Sequence, residues 1–333
     1  METFDLSVIW AVIIAFSIIM YVLLDGFVLG LGILYPLAPD EEARNVMMNT
    51  AAPIWDGNET WLVLAGTALL GAFPLVYTIV LPALYIGVFL MVAGLIFRGV
   101  AFEFRFKARR SRKWWNLAFA GGSAVTAFAQ GAVVGAYIQG FETRDKAFIG
   151  GAFDWLTPFT IATGLGMMAG FALLGITWII MKTEGHVQAW AFRLVPRLLI
   201  VVLAVFAVVS LWTPAIDPGV WERWFSNIQI IWVLPALAIL SAALLLFSVR
   251  ARRARLPFFA TMSMFLFTYL GLLVSRWPYV VPPNYTLWEA ASAPSSQLFL
   301  LVGTLFVIPI ILGYTGWAYW VFRGKVRPGE GYH

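Results

Sequence analysis

Nine stretches of this 333-residue chain are apolar over enough residues to cross the hydrocarbon of a bilayer, and that feature constrains everything else. On a length criterion they fall at about 8–34, 51–73, 77–97, 116–139, 158–181, 197–213, 229–248, 257–276 and 297–322. Backbone N–H and C=O groups in lipid must pair within their own segment, and each run is too continuously apolar for an alternating barrel strand, so these are helices. With 61% hydrophobic and only 12% charged residues, a water-facing surface for a soluble domain is excluded. The expectation is an all-α polytopic membrane protein of nine transmembrane helices, residues 1–333 forming one integral-membrane bundle. The N-terminus carries Glu2 and Asp5 rather than basic residues, and the apolar run behind it is too long for a signal peptide, so the first helix is expected to stay.

The basic residues set a direction. Arg44, the cluster Arg98, Arg105, Lys107, Arg109, Arg110, Arg112 and Lys113, then Lys182, Arg193 and Arg197, Arg250 to Arg255, and the tail Arg323, Lys325 and Arg327 all fall in alternate connections. Eighteen of the 22 Lys and Arg thus lie on one side, leaving Arg144, Lys146, Arg223 and Arg276 on the other. By the positive-inside rule the N-terminus is periplasmic and the C-terminus cytoplasmic. The net charge of +5 therefore reflects membrane topology rather than a nucleic-acid surface. Most of the 16 tryptophans lie near helix ends, where indoles anchor at the headgroup level.

Within spans, acids are the natural functional candidates, because a carboxylate at the bilayer centre costs ~2.5–3.5 kcal/mol on insertion scales. Asp25 lies in Asp25-Gly26-Phe27-Val28-Leu29-Gly30, about 25 Å along the first helix, and Gly26 and Gly30 let another helix approach it. A denser patch is Trp55-Asp56-Gly57-Asn58-Glu59-Thr60-Trp61, where Asp56 and Glu59 share a face. Asn49 or Thr50 and Pro53 suit the start of that second helix, whose dipole would itself favour nearby acids. A short connection brings Asp25 and Asp56 to similar depth, the start of a proton path from the cytoplasm. Arg98 reads first as one more basic loop residue and second as a countercharge. The segment from Trp277 to Leu298 reads by composition as a solvated loop.

Cysteine is absent, and the only histidines, His186 and His333, lie outside the apolar runs. The chain therefore lacks the usual heme ligands within its spans, and two or three carboxylates without histidine make a weak case for a metal site. Methionines such as Met20 and Met91 read as core filler.

Four segments together resemble subunit II of the cytochrome bd quinol oxidases: Asp25-Gly26-Phe27 with Gly30 and Gly32; Ala52 to Trp61; Phe97-Arg98-Gly99 to Arg105; and Leu287-Trp288-Glu289 to Ser292 with Ser295-Ser296-Gln297-Leu298. The short loops are similar to the cyanide-insensitive branch. One departure stands at Val28, where many relatives carry a second acid. The resemblance implies a respiratory, electrogenic quinol:oxygen oxidoreductase of the bacterial cytoplasmic membrane that reduces O2 to water. It implies two b hemes and one d heme ligated by subunit I, a structural quinone in some members, and a small single-span accessory subunit. On that reading Asp25, Asp56 and Glu59 carry protons, and Trp55 and Trp61 lie near a quinone or the subunit I interface. The rival expectation is a stand-alone ion-coupled secondary transporter using Asp25 and Asp56, which would call for paired broken helices that Pro235 and Pro309 do not supply.

Overall fold

The computed structural model describes residues 5–226, 232–327 and 329. Its helices are α1 (Leu6–Leu34), α2 (Glu41–Ala51), α3 (Trp55–Ala72), α4 (Pro74–Phe104), α5 (Arg112–Gln139), α6 (Pro158–Lys182), α7 (Gly185–Ile216), α8 (Pro218–Ser226), α9 (Val233–Arg250), α10 (Leu256–Arg276), α11 (Leu287–Ala290) and α12 (Pro294–Val321). Strands among the described residues are confined to two small hairpins, β1 (Thr143–Arg144) with β2 (Ala147–Phe148) and β3 (Tyr279–Val281) with β4 (Tyr285–Thr286), so no barrel is present there. Residues 229–231 of the expected seventh span lie outside the described residues, as do Glu2, His333 and the side chain of Arg223.

Eight of these helices are long and apolar enough to cross a membrane. The second expected span corresponds to α3, which is not among them: its first turns hold Asp56, Asn58 and Glu59. Two boundaries differ from expectation in ways that matter. The third span continues as helix two turns past residue 97, to Phe104. Asn49 and Thr50 do not start the second span. They end α2, a separate helix whose N-cap Asp40 accepts from the Ala43 N–H at 2.7 Å and whose first turn holds Glu41 and Glu42. Thr50 donates to the Met47 carbonyl and accepts from Trp178 Nε1, tying α2 to α6.

Helix α1 is the hub, packed against α3, α5 and α6, with α4 packed on α5 and also touching α3. From Leu23 to Gly32 every residue of α1 is buried, Val28 included. Small residues permit this. A Cβ at Gly30 would sit 1.8 Å from the Phe171 carbonyl oxygen, so α1 and α6 touch backbone to backbone. Gly94 and Gly122 do the same for α4 and α5, where a Cβ on either would meet the other's carbonyl within 2.6 Å. Burial then falls off sharply: 67% of the central window of α6 is enclosed by the chain, against 11% for α7 and none for α12.

Polar contacts collect at two opposite ends. At one, Arg105 joins Asn45, His186 joins Asp40, Lys325 joins Glu184, and Lys182 Nζ donates to the Phe322 and Gly324 carbonyls at 2.5 Å. At the other, Trp288 Nε1 donates to Asp5 Oδ2 at 2.6 Å, Trp10 Nε1 to the Gln297 carbonyl, and Asn284 Nδ2 to the Phe141 carbonyl. The segment from Trp277 to Leu298 is thus not a plain solvated loop. It holds a hairpin and the one-turn α11, closed by a capping box between Thr286 and Glu289, and packs on the ends of α1, α3 and α5. The hydrogen bonds from Thr286 hold the Glu289 carboxyl below its usual range, as the Trp288 indole does for Asp5.

Candidate functional site

Helices α1, α3 and α4 each bring one charged side chain to a single point inside the bundle. Arg98, on α4 one turn beyond the Gly94 contact with α5, has a side chain with no solvent exposure. Its Nη1 donates to Asp25 Oδ1 at 2.7 Å, and its Nη2 pairs with Glu59 Oε1. The Asp25 side chain is likewise fully enclosed, while that of Glu59 is 25% exposed. Arg98 is therefore a countercharge within a helix and not a loop residue. A buried guanidinium can persist here because two carboxylates share it, and removing any member would leave a desolvated charge behind.

The patch on α3 divides by face. Asp56, in the first turn, is exposed and does not reach Asp25; the acid that does is Glu59, one turn further on. Asp56 is still near enough for its charge to act on Glu59. Asn58 is buried between them and locks the helices: its Nδ2 donates to the Leu24 carbonyl at 2.8 Å, and its Oδ1 accepts from the Tyr319 hydroxyl at 3.0 Å. Trp61 is fully buried edge-on to Phe16, and the half-buried Trp55 stacks on Phe102 at 5.2 Å. Both indoles are thus taken up by packing within this chain.

Tyr21 lies one turn before Asp25 on the same face of α1 and accepts from Gln130 Nε2 at 2.5 Å. Among the described residues, Asp25 Oδ2, Arg98 Nε and Trp61 Nε1 have no hydrogen-bond partner. Burial is graded along one line: Asp56 is exposed, Glu59 is partly covered, and Arg98 and Asp25 are sealed. Sequence reasoning undervalued Arg98 because its apolar run stops at residue 97 while the helix does not. The missed signal was a balance of charge, since two acids at one depth require a cation there.

A second buried arginine follows on the same helix face. Arg105 caps α4, and its guanidinium is spread over Asn116 (2.7 Å), Asn45 (2.8 Å) and Glu41 (2.7 Å), with Arg112 and Arg44 on the same Glu41 carboxylate. Burial presses its pKa downward.

Neither cluster offers a metal site: among the described residues, no group of three His, Asp or Glu could hold an ion. Axial heme ligation fits no better. His186 is exposed and bonded to Asp40, and Met20 and Met91 are part of the packed interior.

A family model described as cytochrome bd terminal oxidase subunit II matches residues 6–322. Cytochrome bd-I ubiquinol oxidase subunit 2 of Escherichia coli K12 is 30% identical, over 96% of this chain and 95% of its own length. Cytochrome bd ubiquinol oxidase subunit 2 of Bacillus subtilis is 26% identical, over 96% and 97%. Among solved structures, a chain of the bd oxidase from Geobacillus thermodenitrificans superposes with a TM-score of 0.77 over 95% of this chain and 98% of that one, at 14% identity.

Proposed function

The chain belongs to the cytochrome bd terminal oxidase subunit II family, and from that membership we propose that it conducts protons from the cytoplasm toward the oxygen-reducing hemes of a partner subunit. As a subunit II it serves a respiratory quinol oxidase of the bacterial inner membrane, which sets aside the stand-alone transporter. The finer parts of the reading are nine spans with α3 as the second, a periplasmic N-terminus and a cytoplasmic C-terminus. The gathering of basic connections at one end of the bundle supports that direction. The hemes, two b and one d, would be ligated by subunit I; His186 is exposed and bonded to Asp40, and Met20 and Met91 pack against the apolar interior of this chain.

The observation that carries the proton reading is the graded line of carboxyls ending on the buried triad. With both acids ionised, Asp25, Glu59 and Arg98 sum to one negative charge, so one proton brings the cluster to neutrality. Asp56 would take up the proton at the exposed face of α3 and Glu59 would receive it. Arg98, which keeps its own proton, would hold both acids at one distance while the proton is shared between them. Asp25 Oδ2, with no hydrogen-bond partner among the described residues, is the acceptor left for onward transfer.

Asp56→Asn in the assembled complex tests the first step. A fall in oxygen consumption of about tenfold or more with heme absorbance retained supports it. Unchanged consumption with full heme content removes Asp56 from the path, and lost heme content makes its role structural.

A further inference from the structure

The elbow between α4 and α5 carries a feature that proton transfer does not use. An open groove of about 390 Å³ is lined by Phe97, Ser111, Trp114, Trp115, Leu117 and Ala118. Its size is that of ordinary ligand pockets, about 300–1,000 Å³. The walls are apolar and uncovered: Phe97 is 60% exposed and Trp114 71%, while Trp115 is fixed by stacking on Phe104. Phe97 lies seven residues before the end of α4, so the groove reaches ~10 Å from the helix end into the apolar part of the bundle.

Above the groove the chain is strongly basic. Arg105 and Arg112 are taken up by Glu41 and Asn45, but Lys107, Arg109, Arg110 and Lys113 are exposed and make no salt bridge among the described residues. All four lie within four residues of Ser111, which lines the groove. The positive end of the α5 dipole adds to them, since no acid stands in its first turn. Four unbalanced cations beside an apolar slot call for a ligand that is anionic at one end and apolar for ~10 Å at the other. A soluble anion would leave the slot bare, and a neutral acyl chain would leave the cations uncompensated.

We propose that this groove is a binding site for an anionic glycerophospholipid, its phosphate among Lys107, Arg109, Arg110 and Lys113 and an acyl chain along Phe97, Trp114, Leu117 and Ala118. The site rests on the membrane reading of the chain and not on the proton path. Bound there, the lipid neutralises the elbow and joins the ends of α4 and α5 next to the Arg105 cluster.

The test is lipid retention by the whole oxidase complex, stripped in detergent and then offered vesicles of phosphatidylglycerol or phosphatidylcholine. Wild type is expected to keep phosphatidylglycerol about tenfold better or more. The K107Q/R109Q/R110Q/K113Q variant should lose that preference with heme absorbance and oxygen consumption retained. Ala118→Trp, which fills the slot and leaves the cations in place, should lower retention as well. Undiminished preference in the quadruple variant overturns the site. Full retention in Ala118→Trp overturns it too, because charge on an open surface would then suffice. Departure of a small polypeptide in place of lipid would assign the groove to a single-span protein instead.

Discussion

Two buried arginines sit two turns apart on one face of α4, and their surroundings differ in kind. Arg98 is hydrogen-bonded to two carboxylates, so its cluster is one proton from neutrality. Arg105 meets two amide oxygens and a Glu41 carboxylate that Arg44 and Arg112 also use, so its cluster carries excess positive charge however Glu41 is protonated. The first arrangement can exchange a proton internally. The second has a single acid, Glu41, shared by three guanidiniums, and its other partners are amides, so it has no second carboxylate with which to share a proton and serves to hold helices together. Burial of a cation alone therefore says little about function; what matters is the titratable count around it.

The hardest test of that contrast is Arg98→Met. It strands Asp25 and Glu59 without a countercharge, which in buried pairs costs about 3–5 kcal/mol. The expected result is loss of assembled, heme-bearing complex on purification. R98M/D25N/E59Q, with no charge left to strand, should recover much of it, and a triple variant as unstable as R98M would show that the loss is one of packing.

Asp25→Asn is expected to act on turnover rather than assembly, because the amide oxygen can still accept from Arg98 Nη1. Oxygen consumption should fall about tenfold or more at full heme content. Glu59→Gln should fall less, since that side chain is partly exposed and water can stand in for it. Equal, small losses at both sites would make the triad structural, like the Arg105 cluster.

Arg105→Met should leave turnover near wild type and lower stability by about 1–2 kcal/mol, read as a drop in the thermal midpoint of heme release. The loss is limited because Arg112 keeps its own contacts to Glu41 and Asn45. A turnover defect as deep as that of Asp25→Asn would erase the distinction between the two arginines.

How far the sequence went follows the same division. Long apolar runs reveal spans because lipid imposes one solution on the backbone, and α1, α5, α6 and α10 fall within a few residues of their expected limits. The acids were legible because they are costly where they stand. Which of them meet was not: Asp25 and Arg98 are 73 positions apart, and the pairing of Glu59 rather than Asp56 depends on how α3 is rotated against α1. Helix α2 did leave a signal, an aspartate N-cap followed by two glutamates, but with no apolar run behind it the segment read as a connection. The same holds for Thr286-Leu287-Trp288-Glu289, a capping-box pattern inside a stretch whose composition says loop.

The smallest effect expected is at Asp40, which holds α2 and so Glu41 and Asn45 in place under Arg105. Its carboxyl lies below the ordinary value of 3.8, first because it accepts from the Ala43 N–H and then through its contact with His186. A folded-state pKa below the unfolded one gives stability that is complete above the unfolded value and fades as pH falls through the folded one. Asp40→Asn keeps a good N-cap and removes the charge, so it should fall slightly short of wild type at pH 7 and approach it as acid protonates the wild-type carboxyl. Asp40→Ala, which loses the cap itself, should be less stable throughout. The thermal midpoint of heme release, followed from pH 7 into acid, decides it. A deficit for Asp40→Asn that grew in acid would mean that the Arg105 cluster senses pH through some group other than this cap.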